Sequence, residues 1–245
     1  MVMINIQEDG GHELPNKGTS EISSAGYIAV VADGMGGVRG GGLASSILRE
    51  GILDLAGRSS CPNPEEEQLG NIIDEINFRI LREADADPNL VGMGTTLTLC
   101  WLKGNELTLA NVGDSRLYRL RSNTLEQLSK DQSPVGRLLR EGRITVEESR
   151  THPHRNVIDQ AVGSHPEGLD PEIASFAMND GDVYLLCSDG LNEELWDHEI
   201  AEVLQDTLRA EKPLIGAAEK LVANTLLAGG KDNVTVILLK VGISS

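Results

Sequence analysis

The chain has few of the features that assign a protein to a class quickly. Its 245 residues contain no apolar run approaching membrane-spanning length. The opening stretch MVMINIQEDGG has neither the basic start nor the long apolar core of a secretion signal. Basic charge is scarce: 21 Lys and Arg against 38 Asp and Glu leave a net charge of −17, which repels nucleic acid and anionic membranes and excludes them as expected partners. Cysteine is limited to Cys61, Cys100 and Cys187, an odd number with no C-x-x-C pair. That argues against a disulfide scaffold or a zinc knuckle and for reduced thiols in a cytoplasmic protein. Repeats, low-complexity tracts and long linkers are absent, so residues 1–245 read as a single domain. The five histidines form no H-x-x-x-H pair. The glycines after Asp33 lack both G-x-G-x-x-G spacing and a Lys-Ser/Thr ending, which makes a nucleotide loop a weak reading.

What is present alternates between two periods. The run YIAVVAD is short, rich in β-branched residues and closed by glycine, so it predicts a buried strand. GGLASSILREGILDLAG carries Leu43, Ile47, Leu48, Ile52 and Leu55 at helical spacing. CPNPEEEQLGNIIDEINFRILREAD opens on prolines and acids, as a helix N-terminus does. From Gly94 to Ser129 the pattern turns to alternation broken at Lys103-Gly104-Asn105 and Gly113-Asp114, which predicts an antiparallel meander. Residues 131–171 hold short helical pieces among prolines and read as an excursion packed beside the core. Strands resume at DVYLLCSDG, helices follow near Asp197–Leu208 and Pro213–Leu227, and DNVTVILLKV is a final strand. Grouped strands and helices favour layered sheets with helices outside, an α+β arrangement, over a doubly wound parallel sheet.

Four acids share a setting. Asp33 (VVADGMGG), Asp114 (ANVGDSR), Asp189 (LLCSDGL) and Asp232 (GGKDNVTV) each stand between an apolar strand and a glycine-containing turn. Carboxylates converging at strand ends are partly desolvated and repel one another unless cations neutralise them. Hard divalent cations take oxygen ligands and keep several waters, so a few carboxylates suffice. Taken singly, each acid reads more readily as part of a tight turn than as a metal ligand.

Together with MGTTLTL and the long stretch LSKDQSPVGRLLREGRITVEESRTHPHRNVIDQAVG, these strings, in this order, resemble the type 2C metal-dependent protein phosphatases, the PPM family, in the bacterial style. The resemblance runs from about Tyr27 onward. It implies a four-layer α-β-β-α sandwich of two antiparallel sheets flanked by helices, with a metal centre at one end. It also implies hydrolysis of phosphoserine and phosphothreonine in proteins by a water activated on Mn²⁺ or Mg²⁺, two ions or three, in opposition to a Ser/Thr kinase. Asp33 corresponds to the carboxylate bridging both metals, the Gly34 carbonyl to a ligand of one, and Asp189 and Asp232 to ligands of the other. Asp9 corresponds to the acid closing the first motif, with Glu8 beside it, and Asp114 to an acid helping hold a third ion. The excursion corresponds to a flap beside the active site. The expected state is a monomer, and Cys100 and Cys187 are expected to be packing residues. One position departs from the family: aligned on Asp9, the first-motif arginine that binds the substrate phosphate is replaced by Ile4, and the chain starts too late for the whole first strand. Arg39 could supply some charge but reads as a solvated loop residue. The departure leaves a second expectation open, a catalytically weak phosphatase-like module that binds a phosphoprotein partner and regulates it.

Overall fold

The computed structural model of the chain describes residues 1–7, 10–13, 26–57 and 66–242. In chain order, β1 (Val2–Gln7), β2 (Gly10–Glu13), β3 (Tyr27–Val31) and β4 (Gly34–Met35) lead into helices α1 (Gly37–Gly57) and α2 (Glu66–Ala86). Strands β5 (Gly94–Thr95), β6 (Leu97–Lys103), β7 (Glu106–Val112), β8 (Arg116–Arg121) and β9 (Thr124–Gln127) follow. Two short helices, α3 (Pro134–Arg140) and α4 (Val146–Thr151), precede β10 (Glu172–Ala177) and β11 (Val183–Cys187). The chain closes with α5 (Asp189–Asn192), α6 (Asp197–Arg209), α7 (Leu214–Ala228) and β12 (Val236–Lys240).

The strands form a six-stranded sheet ordered β10-β7-β6-β3-β1-β2, a four-stranded sheet ordered β12-β11-β8-β9 and a short β4-β5 pair, with antiparallel pairing throughout. The apolar run of β3 is continuous because both of its faces are covered. Ile28 and Val30 meet α1 and α2 on one side, and Tyr27, Ala29 and Val31 meet the second sheet on the other. Strand β11 repeats the device: Tyr184 and Leu186 face the first sheet, whereas Val183, Leu185 and Cys187 face α6 and α7. Three apolar layers therefore bind four structural layers, which is the α-β-β-α sandwich expected from the sequence. Helix α2 turns Leu69, Ile73, Ile76 and Ile80 inward at 3.6-residue spacing, and its first turn carries Glu66 and Glu67 where the helix dipole favours anions.

Four expectations need correction. The meander is split: β6 and β7 pair in one sheet, β8 and β9 in the other, and the chain changes sheets at Gly113–Ser115. Alternation reports strands but not which sheet they join. Strand β10 was not foreseen, because it is a partly exposed edge strand with weak alternation, fixed by its ladder to β7. The excursion is not wholly outside the core, since Val162 is fully buried against the helices and bridges to Thr95. Helix α1 begins earlier than its apolar spacing indicated: Arg39 is helical, and Leu43 is exposed rather than inward. Cys100 and Cys187 are buried, as expected of packing residues, and burial pushes each thiol up to about 12. Cys61 lies outside the described residues.

Candidate functional site

Each sheet delivers acids to the same end of the sandwich. Strand β3 leads into Asp33, two residues past its end, whose backbone is clamped to Thr96: the Asp33 amide donates to Thr96 Oγ1 at 2.9 Å, and the Thr96 amide donates to the Asp33 carbonyl at 2.8 Å. The Thr96 hydroxyl also bonds Ser115 Oγ at 2.8 Å, tying the Asp33 turn to the sheet-changing turn that carries Asp114. The glycines beyond Asp33 serve a close approach. A Cβ on Gly34 would fall 2.2 Å from the Gly41 carbonyl oxygen, and one on Gly41 would fall 2.4 Å from that of Gly34, so the turn and α1 touch backbone to backbone.

The second sheet holds its pair by the same means. The Ser188 amide donates to the Thr235 carbonyl at 3.1 Å, and the Thr235 amide donates to Ser188 Oγ at 3.0 Å. A Cβ on Gly190 would lie 2.3 Å from the Asn233 carbonyl oxygen, so only glycine lets the Asp189 and Asp232 turns come together. One Asp232 carboxylate oxygen accepts from the Asn233 amide at 2.6 Å.

The electrostatics show that these acids share one environment. Burial, followed by the facing Asp189 and the nearby Asp232, pushes Asp33 up to about 7. Asp189 is raised as well, chiefly by burial, while its hydrogen bond from Asp33 opposes the rise. Asp114 is pushed up to about 7 by burial and then by Asp189 and Asp131, with Arg116 pulling the other way. Glu193 is raised by burial and by Asp189. Asp189 Oδ1 is buried without a hydrogen-bond partner among the described residues. Among those same residues, no three His, Cys, Asp or Glu side chains stand close enough to make a complete ligand group. The acids nevertheless feel one another, because charges interact through a partly dry site over more than ligand distance. Asp9 and Glu8 lie outside the described residues. An orphaned carboxylate oxygen among like charges in an all-oxygen donor set fits a hard divalent cation.

A cleft of about 140 Å³ opens beside the acids, between the sandwich end and the segment that carries α3 and α4. Asp114 and Asp189 line it together with the cations Arg116, Arg150, Arg155 and Lys231. A larger cavity, about 230 Å³, lies between Met1 and α1 and holds none of the acids. Arg116 forks onto Asp131, with its Nη2 at 2.6 Å, and donates to the Tyr118 hydroxyl at 2.8 Å. Burial alone would lower that guanidinium, but the Tyr118 and Asp131 groups outweigh it and hold it well above its ordinary value. Arg150 lies 4.0 Å over the Trp196 ring and donates to the Glu193 carbonyl at 2.6 Å, pinning α4 to the chain just beyond Asp189. Sequence reasoning singled out none of Thr96, Ser115, Arg116, Asp131 or Arg155, although all five fall inside the strings that carried the resemblance. Arg39 sits in the first turns of α1, where its charge acts on Asp87. Ile4 pairs in register with Glu13 and Ile28.

A sequence profile of the protein phosphatase 2C family matches residues 17–225. The chain belongs to the protein phosphatase 2C family. The match runs through Asp33, Asp114 and Asp189 and ends before Asp232. A serine/threonine protein phosphatase PstP of Mycobacterium tuberculosis is 36% identical over 242 residues, covering 96% of this chain and 44% of its own length. The chain thus spans about half of that relative. A serine/threonine phosphatase stp of Listeria welshimeri is 35% identical over 233 residues, covering 94% of this chain and 90% of its own. Among solved structures, the catalytic domain of PstP in complex with two manganese ions superposes with a TM-score of 0.76 at 32% identity, covering 99% of both chains. The sandwich described above is thus the fold of protein phosphatase 2C relatives, with the acids at one of its ends.

Proposed function

We propose that this protein phosphatase 2C chain hydrolyses phosphoserine and phosphothreonine in proteins, using divalent cations held at the sandwich end. The observation that carries the reading is the convergence of Asp33, Asp114 and Asp189, drawn from two sheets, around a buried carboxylate oxygen that no described group satisfies. Asp33, Asp189 and Asp232 would hold the principal pair of ions, with the Gly34 carbonyl as a further ligand, and Asp114 with Asp9 would hold a third. Mn²⁺ and Mg²⁺ both suit this oxygen set, and the relative's two manganese ions support a pair. When bound, the ions supply an acidified water at neutral pH and offset charge on the phosphoryl oxygens.

The chain's own residues do the rest. Thr96 and Ser115 fix the Asp33 and Asp114 turns against each other, so the carboxylates keep their spacing when charged. Arg116, itself neutralised by Asp131, anchors the wall beside Asp114. Residues 131–171 act as a flap: Arg150 ties it to Trp196 and the Glu193 carbonyl, so it shields the cleft without being loose. Residues 1–245 work as a single domain and a monomer in the cytoplasm, opposite a Ser/Thr kinase. Among the described residues no helix is long and apolar enough to cross a membrane.

The reading is tested by hydrolysis of a phosphothreonine peptide with and without Mn²⁺. Chelator-sensitive turnover is expected, abolished in Asp33→Asn and in Asp232→Asn while thermal unfolding stays cooperative. Full activity in Asp33→Asn would remove that residue from the centre. Cation binding without any turnover would favour the regulatory module instead.

A further inference from the structure

The inward face of α2 carries Leu69, Ile73, Ile76 and Ile80, and among them one polar side chain, Asn77, is fully buried. An amide taken out of water is costly unless its donors and acceptors are matched. Asn77 finds its partners 86 and 88 positions away, on the chain returning from the flap. The Gly163 amide donates to Asn77 Oδ1 at 2.7 Å, and Asn77 Nδ2 donates to the His165 carbonyl at 2.7 Å. That carbonyl also accepts from the Gly168 amide at 3.2 Å, so Gly163 depends on Asn77 more than His165 does. The loop backbone lies directly on the helix: Gly163 has a φ of +98°, and a Cβ there would fall 2.3 Å from Ile80 Cγ2. Just before Asn77 on α2, Asp74 Oδ1 accepts from the Leu169 amide at 2.8 Å. Helix α2 thus grips both ends of the loop 163–169.

The residue before Gly163 leads to the acids. Val162 pairs with Thr95 through two backbone bonds of 2.9 Å, Thr95 pairs in register with Gly34, and the next residue, Thr96, clamps Asp33. Val162, Thr95 and Gly34 therefore stand side by side, with Asn77 holding the outer member. Strands β4 and β5 are two residues each, too short to keep their register as an isolated pair. Gly34 leans on Gly41 of α1, and Val162 supports Thr95 from the opposite side. We propose that Asn77 is a positioning residue for the cation site: by fixing Gly163, and through it Val162 and Thr95, it holds the Asp33–Gly34 turn where its carboxylate and carbonyl can ligate together. Asn77 acts through backbone and touches neither cation nor substrate. The assignment rests on the reading of Asp33 and Gly34 as cation ligands. It gives α2, whose residues do not line the cleft, a part in setting the geometry of the site.

The experiment compares wild type, Asn77→Leu, Asn77→Ala and Asp74→Ala. Leucine keeps the side-chain volume and removes both bonds, whereas Asp74→Ala releases the far end of the same loop at Leu169. Mn²⁺ affinity is measured by calorimetry, and stability by urea unfolding in chelator. All three variants should lower the urea midpoint. Mn²⁺ affinity should fall about 10-fold in Asn77→Leu and Asn77→Ala, the lower end of what losing support behind a ligand costs. In Asp74→Ala it should stay that of wild type. Wild-type Mn²⁺ affinity in Asn77→Leu overturns the proposal, and so does an equal loss in Asp74→Ala, which would mean general loosening. Coupling is reciprocal, so the cation must also act on the loop. In wild type, saturating Mg²⁺ should slow hydrogen exchange at the Val162 and Gly163 amides and leave the Leu169 amide unaltered. Where the Asn77 variants do not fold, this measurement decides alone, and unchanged exchange at Gly163 overturns the proposal. A wild type that binds no divalent cation overturns the proposal together with the metal reading of the site, whereas the other failures leave that reading standing.

Discussion

Asp114 is a carboxylate that the metal-free fold bears at a cost, and replacing it by asparagine exposes that cost directly. Its folded value is about 7 against an ordinary 3.8, through burial and the charges of Asp189 and Asp131. The folded state therefore binds this proton more tightly than the unfolded chain does, and stability falls as pH rises. The penalty is absent below about pH 4, grows between about pH 4 and 7, and is complete above. At about 1.4 kcal/mol per pKa unit, a rise of roughly three units is worth on the order of 4 kcal/mol above pH 7. Asparagine keeps the shape and an acceptor oxygen but loses the charge, and with it the charge assistance of the local backbone bond that the carboxylate accepts. The net gain expected for Asp114→Asn is thus about 2–4 kcal/mol at pH 8, shrinking to near zero at pH 4. Urea unfolding in the presence of chelator at pH 4.5, 6 and 8 measures this, and a midpoint increase of about 1 M is expected at pH 8. Adding Mg²⁺ should erase the advantage, because a bound cation offsets the charge that the variant lacks. A variant less stable than wild type at pH 8, or a difference independent of pH, would refute the account of a strained acid cluster.

Two further outcomes follow from the same geometry. Gly190→Ala places a methyl 2.3 Å from the Asn233 carbonyl oxygen and must push the Asp189 and Asp232 turns apart; a loss of about 1–3 kcal/mol in thermal or urea unfolding, with weakened Mn²⁺ binding, is expected, and unchanged Mn²⁺ affinity would mean the close approach does not set the spacing of the acids. Ile4→Arg should lower KM for a small phosphomonoester if position 4 faces the substrate phosphate; no change in KM would show that the first motif aligns elsewhere.

Much of the fold was legible because burial on both faces leaves a mark in one dimension. YIAVV and VYLLC are continuous apolar runs since each strand is covered by a sheet on one side and helices on the other. Helix α2 announced itself by the spacing of Leu69, Ile73, Ile76 and Ile80. The acids Asp33, Asp114, Asp189 and Asp232 were legible as a set because each interrupts an apolar strand at a glycine turn. Strand β10 was not legible: it is half-exposed, and only its ladder to β7 makes it a strand.

The sequence by itself determined the layers, their apolar faces and the carboxylates offered at the strand ends. Those are properties of period and composition, set within a few residues along the chain. Only the tertiary structure decided that the chain changes sheets at Gly113–Ser115, that Thr96 clamps Asp33, and that Asp131 neutralises Arg116. Those facts are pairings between residues 15 to 63 positions apart. Partners so distant are chosen by how the two sheets stack and by which backbones can approach through glycine, and no local pattern along the chain encodes that choice.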